Sequence, residues 1–173
     1  MKHFAFLLFF SFFFWTTLRA DLYRGYVLTL DGEKLTGQIG SIQHYKSGSQ
    51  VLFINDFGTP YTFRAEAIRG FGFLDGNQKV VYESKSENGS YFFLQVIKKG
   101  EKLSLYCSPV EYVTLRRDDL GFTYEKKHQS KEFWISREGH SRATRLKALR
   151  FRHKMRKLIG DYAPELPEKI GQK

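Results

Sequence analysis

The chain's four histidines beyond its apolar start are His44, His128, His140 and His153. None falls in the H-x-H or H-E-x-x-H spacing that turns two ring nitrogens toward one metal ion. His140 and His153 stand among cations, which disfavour binding another cation. Asp118 and Asp119 directly follow Arg116 and Arg117, the pattern of a solvated charged turn rather than of two carboxylates held across a substrate. Cys107 is the only cysteine, so no internal disulfide can form, and its place in the alternating run 102–107 is that of a small buried hydrophobe. A nucleophile made of Cys107 and a distant His128 has no local support, and no G-x-S-x-G elbow is present. Residues 70–76, Gly-Phe-Gly-Phe-Leu-Asp-Gly, lack the third glycine of G-x-G-x-x-G and precede no helical pattern, so they build no phosphate cradle. They read as bends between a first small barrel and the rest of the sheet. The expectation is a non-enzymatic protein with no catalytic residue, no metal ligand and no cofactor.

The chemistry that remains is electrostatic. The 173 residues carry 28 Lys plus Arg against 18 Asp plus Glu, a formal net charge of +10. Between residues 139 and 160 there are eight bases and no acid. At 100° per residue Ala148, Phe151, Met155, Leu158, Ile159 and Tyr162 share one arc, as in a helix with one apolar stripe. Lys147, Arg150, Lys154 and Lys157 form a second stripe beside it, and Arg142 and Arg145 extend the positive run upstream. These six cations are the candidate site for anionic surfaces, which neutralise basic helices efficiently. A solvated helix face accounts for the same residues, because cations in the last turns favour the negative end of the helix dipole.

The elements that must carry this helix are β-strands. Tyr26, Leu28 and Leu30 alternate with Val27 and Thr29, Asp31-Gly32 supplies a tight turn, and Leu35, Gly37 and Ile39 continue with period two. Further strand candidates are 42–46, 51–54, 61–64, 78–84, 91–98, 102–107, 110–116, 122–126 and 132–136, with a last strand near 141–146. Short strands at this spacing define a mainly β fold. The organisation expected is a small barrel-like unit over residues 21–74, an antiparallel meander over 75–146, and a basic amphipathic helix and tail over 147–173. Gly160 and Pro164 end the helix. The string Gly32-Glu33-Lys34-Leu35-Thr36 returns as Gly100-Glu101-Lys102-Leu103-Ser104, which hairpin-turn chemistry explains without a duplicated unit.

Residues 1–20 belong to none of these elements. Met1, Lys2 and His3 precede the apolar run 4–18, which as a helix spans about 22 Å against a hydrocarbon thickness of about 30 Å. This is the form of a signal peptide cut near Ala20. Its removal takes away Lys2 and Arg19 and no acid, leaving 26 bases, 18 acids and a net charge of +8. The mature chain holds no transmembrane helix, and its destination is the periplasm, the outer surface or the medium.

The opening Gly25-Tyr26-Val27-Leu28-Thr29-Leu30-Asp31-Gly32-Glu33-Lys34-Leu35-Thr36-Gly37-Gln38-Ile39, with Ile68-Arg69-Gly70-Phe71-Gly72-Phe73, the segment 93–106 and Leu158-Ile159-Gly160-Asp161, resembles small exported proteins of unassigned function from Bacteroidetes-type bacteria. The resemblance implies a location and no activity. Leu30-Asp31-Gly32, Gly37, the strand 51–54 and Ile68 also resemble Sm-like and SH3-like small barrels, which implies shape rather than ligand. The functional expectation is an envelope or secreted protein that contacts anionic lipid, lipopolysaccharide, acidic glycan or an acidic protein face, with no nucleic acid as partner. The alternative is a lipocalin-like carrier of a small apolar ligand, in which the helix is only a solvated scaffold.

Overall fold

The computed structural model describes residues 22–109, 111–118, 121–128 and 130–146, together with His153 and residues 155–157. The protein is mainly β. Ten strands form one antiparallel sheet: β1 (Tyr23–Thr29), β2 (Lys34–Tyr45), β3 (Gly48–Asn55), β4 (Pro60–Arg64), β5 (Ile68–Asp75), β6 (Gln78–Glu87), β7 (Ser90–Lys98), β8 (Leu103–Cys107), β11 (Phe133–Arg137) and β12 (Thr144–Leu146). Strands β9 (Glu111–Asp118) and β10 (Gly121–His128) pair with each other as a separate hairpin between β8 and β11. Across the large sheet the order is β12-β11-β8-β7-β6-β5-β1-β2-β3-β4.

Turn chemistry sets the hairpins. Gly32 takes a φ of 92° in the β1–β2 turn, and its N–H donates to the Thr29 carbonyl at 3.1 Å. Asn88 and Gly89, both at positive φ, make the two-residue β6–β7 turn, whose handedness matches the twist of the strands. Both copies of the Gly-Glu-Lys-Leu string stand at hairpin connections, β1–β2 and β7–β8. Strand β2 continues through the separately expected 42–46 segment. A bulge between Ile39 and Ile42 shifts its register by one residue, so Ile39 before it and His44 after it are both buried.

The link from β4 to β5 makes the first five strands curl. These two strands stand at opposite ends of the row β5-β1-β2-β3-β4, which in a flat sheet separates them by about 19 Å. The four Cα steps from Arg64 to Ile68 reach about 14 Å at most. The row therefore wraps into a small barrel-like unit, with a 3-10 turn at Ala65–Ala67 as its joint. Inside it lie Val27, Ile39, Val51, Phe53, Ala65, Ile68 and Phe71, each at most 2 % exposed. Phe93 of β7 completes this core and meets Phe71 edge to face at 4.9 Å.

The second half of the sheet closes as well. Ser86 of β6 donates its N–H to Ser141 and accepts the N–H of Ala143, at 2.8 and 3.0 Å. The segment leading into β12 is thereby tied to β6, and β6-β7-β8-β11-β12 encloses Leu94, Tyr106, Trp134 and Ala143. The expected boundary at residue 74 falls at the β5–β6 hairpin, inside the continuous sheet.

One expectation for a stretch of the chain is corrected. The stretch 70–76 is no set of bends: its first six residues lie in β5, where Gly72 faces the ring of Tyr26 and a Cβ would stand 2.9 Å from it. Tyr26 itself points outward, and Val27 is the residue of that pair that enters the core. The helix from residue 147 lies outside the described residues except at His153 and 155–157, which are helical.

Because Phe93 and Leu94 fill different cores, each should matter independently. Phe93→Ala is expected to cost about 3–5 kcal/mol and Leu94→Ala about 2–5 kcal/mol in urea unfolding. A loss below about 1 kcal/mol at either position would show that its core is not packed as described.

Candidate functional site

Of the six cations singled out from the sequence, Lys147, Arg150 and Lys154 lie outside the described residues. Arg142 and Lys157 are exposed. Arg145 does something else. Cross-strand register places Val96, Tyr106, Trp134 and Arg145 in one row over β7, β8, β11 and β12. From the end of that row the Arg145 guanidinium lies 4.8 Å from the Trp134 ring centroid and reaches Glu132 and, on β6, Glu87, both at 3.1 Å. It fastens the last strand of the second barrel to the first. Only 30 % of its side chain is accessible, so it contributes to closure rather than to an open cationic surface.

Beside this clasp is the mouth of the second barrel, a pocket of about 220 Å³. Phe92, Leu94 and Trp134 form its apolar wall, Ser108, Glu132 and Arg145 supply polar groups, and the end of β2 with the β2–β3 connection brings His44, Tyr45 and Lys46 to it. The indole Nε1 of Trp134 is buried and has no acceptor within hydrogen-bond distance among the described residues. His44 is 7 % exposed and its Nδ1 stands 2.7 Å from the Ser49 hydroxyl. Burial lowers its pKa to about 4, so the ring is neutral at physiological pH.

A second polar cluster lies at the other end of the same core. Glu83 accepts from the Tyr106 hydroxyl at 2.7 Å and pairs with Lys99 at 2.5 Å and Lys85 at 3.3 Å. Burial alone would raise the Glu83 pKa, but the hydrogen bonds from Lys99 and Tyr106 and the two ammonium charges hold it below the usual carboxylate range. Burial, with that same hydrogen bond, raises the Tyr106 phenol. Lys85 also donates to the His140 carbonyl at 2.9 Å. The cluster consists of groups that satisfy one another, and its effect is to bind β6, β8 and the 138–143 turn together. Its signal in the sequence was the alternation of Glu83, Lys85 and Glu87, which puts three charges on one face of a strand.

Cys107 is 1 % exposed, its thiol pushed up by burial, with its Sγ 3.6 Å from Gln95. Such a thiol is a poor nucleophile at neutral pH. Among the described residues no three His, Cys, Asp or Glu side chains are grouped to hold a metal ion, and no helix is long and apolar enough to cross a membrane. No family model, curated protein or solved structure matches the chain.

Two outcomes follow. Arg145→Leu leaves Glu87 and Glu132 facing each other's region without their shared cation and should cost about 1–3 kcal/mol in chemical denaturation; an unchanged midpoint would refute the clasp. For His44, the folded state holds the ring neutral down to about pH 4 while the unfolded chain protonates near 6.5. Its contribution to stability is therefore complete above pH 6.5 and is lost as pH falls toward 4, by up to roughly 3 kcal/mol. Denaturation midpoints measured between pH 7 and 4.5 should fall less steeply in His44→Gln, and equal slopes would show that His44 is not buried neutral.

Proposed function

We propose that the protein is an exported, non-enzymatic envelope or secreted component that works by contacting anionic surfaces. The observation that carries this reading is the contrast between interior and exterior. Phe53, Phe71 and Phe93 fill the first core, and Leu94, Tyr106 and Trp134 fill the second. The mouth pocket of about 220 Å³ is smaller than the cavities of roughly 300–1,000 Å³ that enclose a carried apolar ligand. Recognition is then left to the outside, where the chain from residue 21 onward carries a net charge of +8. Filled interiors give the lipocalin-like carrier less support.

In this reading the basic segment near the C-terminus is the contact surface, with Arg142 and Lys157 joined by Lys147, Arg150 and Lys154. Arg145 is left out because it is held by two carboxylates. The signal-like start and the resemblance to small exported bacterial proteins support a site outside the cytoplasm, where lipid head groups, lipopolysaccharide and acidic glycans supply the negative charge.

Purified protein should bind vesicles containing anionic lipid and release them as salt rises, because exposed charges are screened within about 10 Å at 0.1 M. Each basic residue near such a surface contributes about 1 kcal/mol. Reversing Lys147, Arg150, Lys154 and Lys157 to Glu should weaken binding by at least a hundredfold without moving the unfolding transition. Equal binding to neutral vesicles, or indifference to the four reversals, would sink the reading.

A further inference from the structure

The outer face of the first barrel carries a second feature that the basic helix does not explain. On that face β5 contributes Gly72 where its neighbours carry side chains, which leaves a trough of about 270 Å³ over β2, β1, β5 and β6. The ring of Tyr26 lies on Gly72 so closely that a Cβ there would stand 2.9 Å from it. Lys34 lies over the ring, its Nζ 4.3 Å from the centroid. Arg24 and Lys79 complete the charged rim, and Leu74, 55 % exposed, lies alongside. Among the described residues no carboxylate lines the trough. Asp56 stands at its edge, where it takes the Arg24 guanidinium and the Thr36 hydroxyl. The cations it leaves are Lys34 and Lys79.

We infer that this trough binds one ring of an acidic polysaccharide, the sugar's apolar C–H face lying on Tyr26 and its acid group reaching Lys34 and Lys79. An aromatic ring backed by glycine, with one displaceable ammonium over it and a second on the rim, matches a ring that is apolar on its face and anionic at its edge. Lys34 is exposed, so its ammonium can leave the ring it covers and meet the incoming acid. A lipid surface fits less well, since acyl chains need a wider apolar face than Leu74 and Phe73 offer. The inference rests on the anionic-surface reading and names the partner within it.

The test titrates purified protein at low salt with oligogalacturonate, its fully methyl-esterified form, a single-stranded oligonucleotide and anionic vesicles. Oligogalacturonate should bind at least tenfold more tightly than the uncharged ester. Tyr26→Ala and the pair Lys34→Gln with Lys79→Gln should each weaken it at least tenfold, Tyr26→Phe by less than twofold, and none of them should alter vesicle binding. The two lysines are exposed, so their variant decides the matter even where Tyr26→Ala fails to fold. Oligogalacturonate binding that ignores these substitutions, or is absent while vesicles still bind, overturns the trough alone. Failure to bind any of the polyanions overturns the broader reading with it. Tighter binding of the oligonucleotide with the same residue dependence overturns the assignment to a glycan.

Discussion

Phe93 and Leu94 are neighbours in the chain and lie in different hydrophobic cores. Alternation along a strand makes this unavoidable once both faces of β7 are covered, and most of the architecture follows from that double covering. Tyr91 joins Phe93 on the side of the first core, and Phe92 and Val96 join Leu94 on the side of the second. One sheet therefore bends in two senses around a shared strand, the first five strands wrapping over one face and the last three over the other. Two barrels built this way share a wall, and apolar burial that a unit of about fifty residues would barely supply alone is pooled across the chain.

The two halves close by different means. The first is closed by chain connectivity, since the short β4–β5 link cannot span a flat sheet. In the second the closing strand is three residues long and has little backbone pairing to offer. Its closure depends on Ser86 bonding to Ser141 and Ala143, and on Arg145 bridging to Glu87. Ion pairs of this kind contribute little net stability when solvated and more when half-buried with hydrogen-bonded geometry, as here. They also fix which edge meets which, because a guanidinium displaced by one residue would face the other side of the strand.

How much of this was legible in the sequence depended on range. Local signals were read correctly where they were sufficient: Asp31-Gly32 marks the first hairpin, and the period-two runs locate nearly every strand. Strand β5 is hidden from a local reading because Gly70-Phe71-Gly72-Phe73 has the alternation of a strand and the composition of a turn. Only the Tyr26 ring against Gly72 and the Tyr82 carbonyl against Gly70 explain why side chains are absent there. Strand β2 was divided in two because its bulge reverses the apolar phase between Ile39 and Ile42. Arg145 looks like a surface cation in the sequence because its partner Glu87 is 58 residues away, and no local pattern shows such a pairing. The cluster around Glu83 was overlooked for the same reason, although the Glu-x-Lys-x-Glu spacing was visible.

The same geometry constrains where recognition can happen. A strand with two buried faces leaves no interior wall free to line a large cavity, and a clasp that consumes Arg145 removes one cation from the positive run it seemed to join. The exposed cations among the described residues are distributed, with Arg142 and Lys157 near the C-terminus and Lys34 and Lys79 around Tyr26 among them. Contacts spread over separate faces suit an extended partner better than a small one, because each weak contact after the first is made at high effective concentration. Under the reading proposed above, an anionic polymer or surface would meet that requirement, whereas a single small anion can engage only one face at a time.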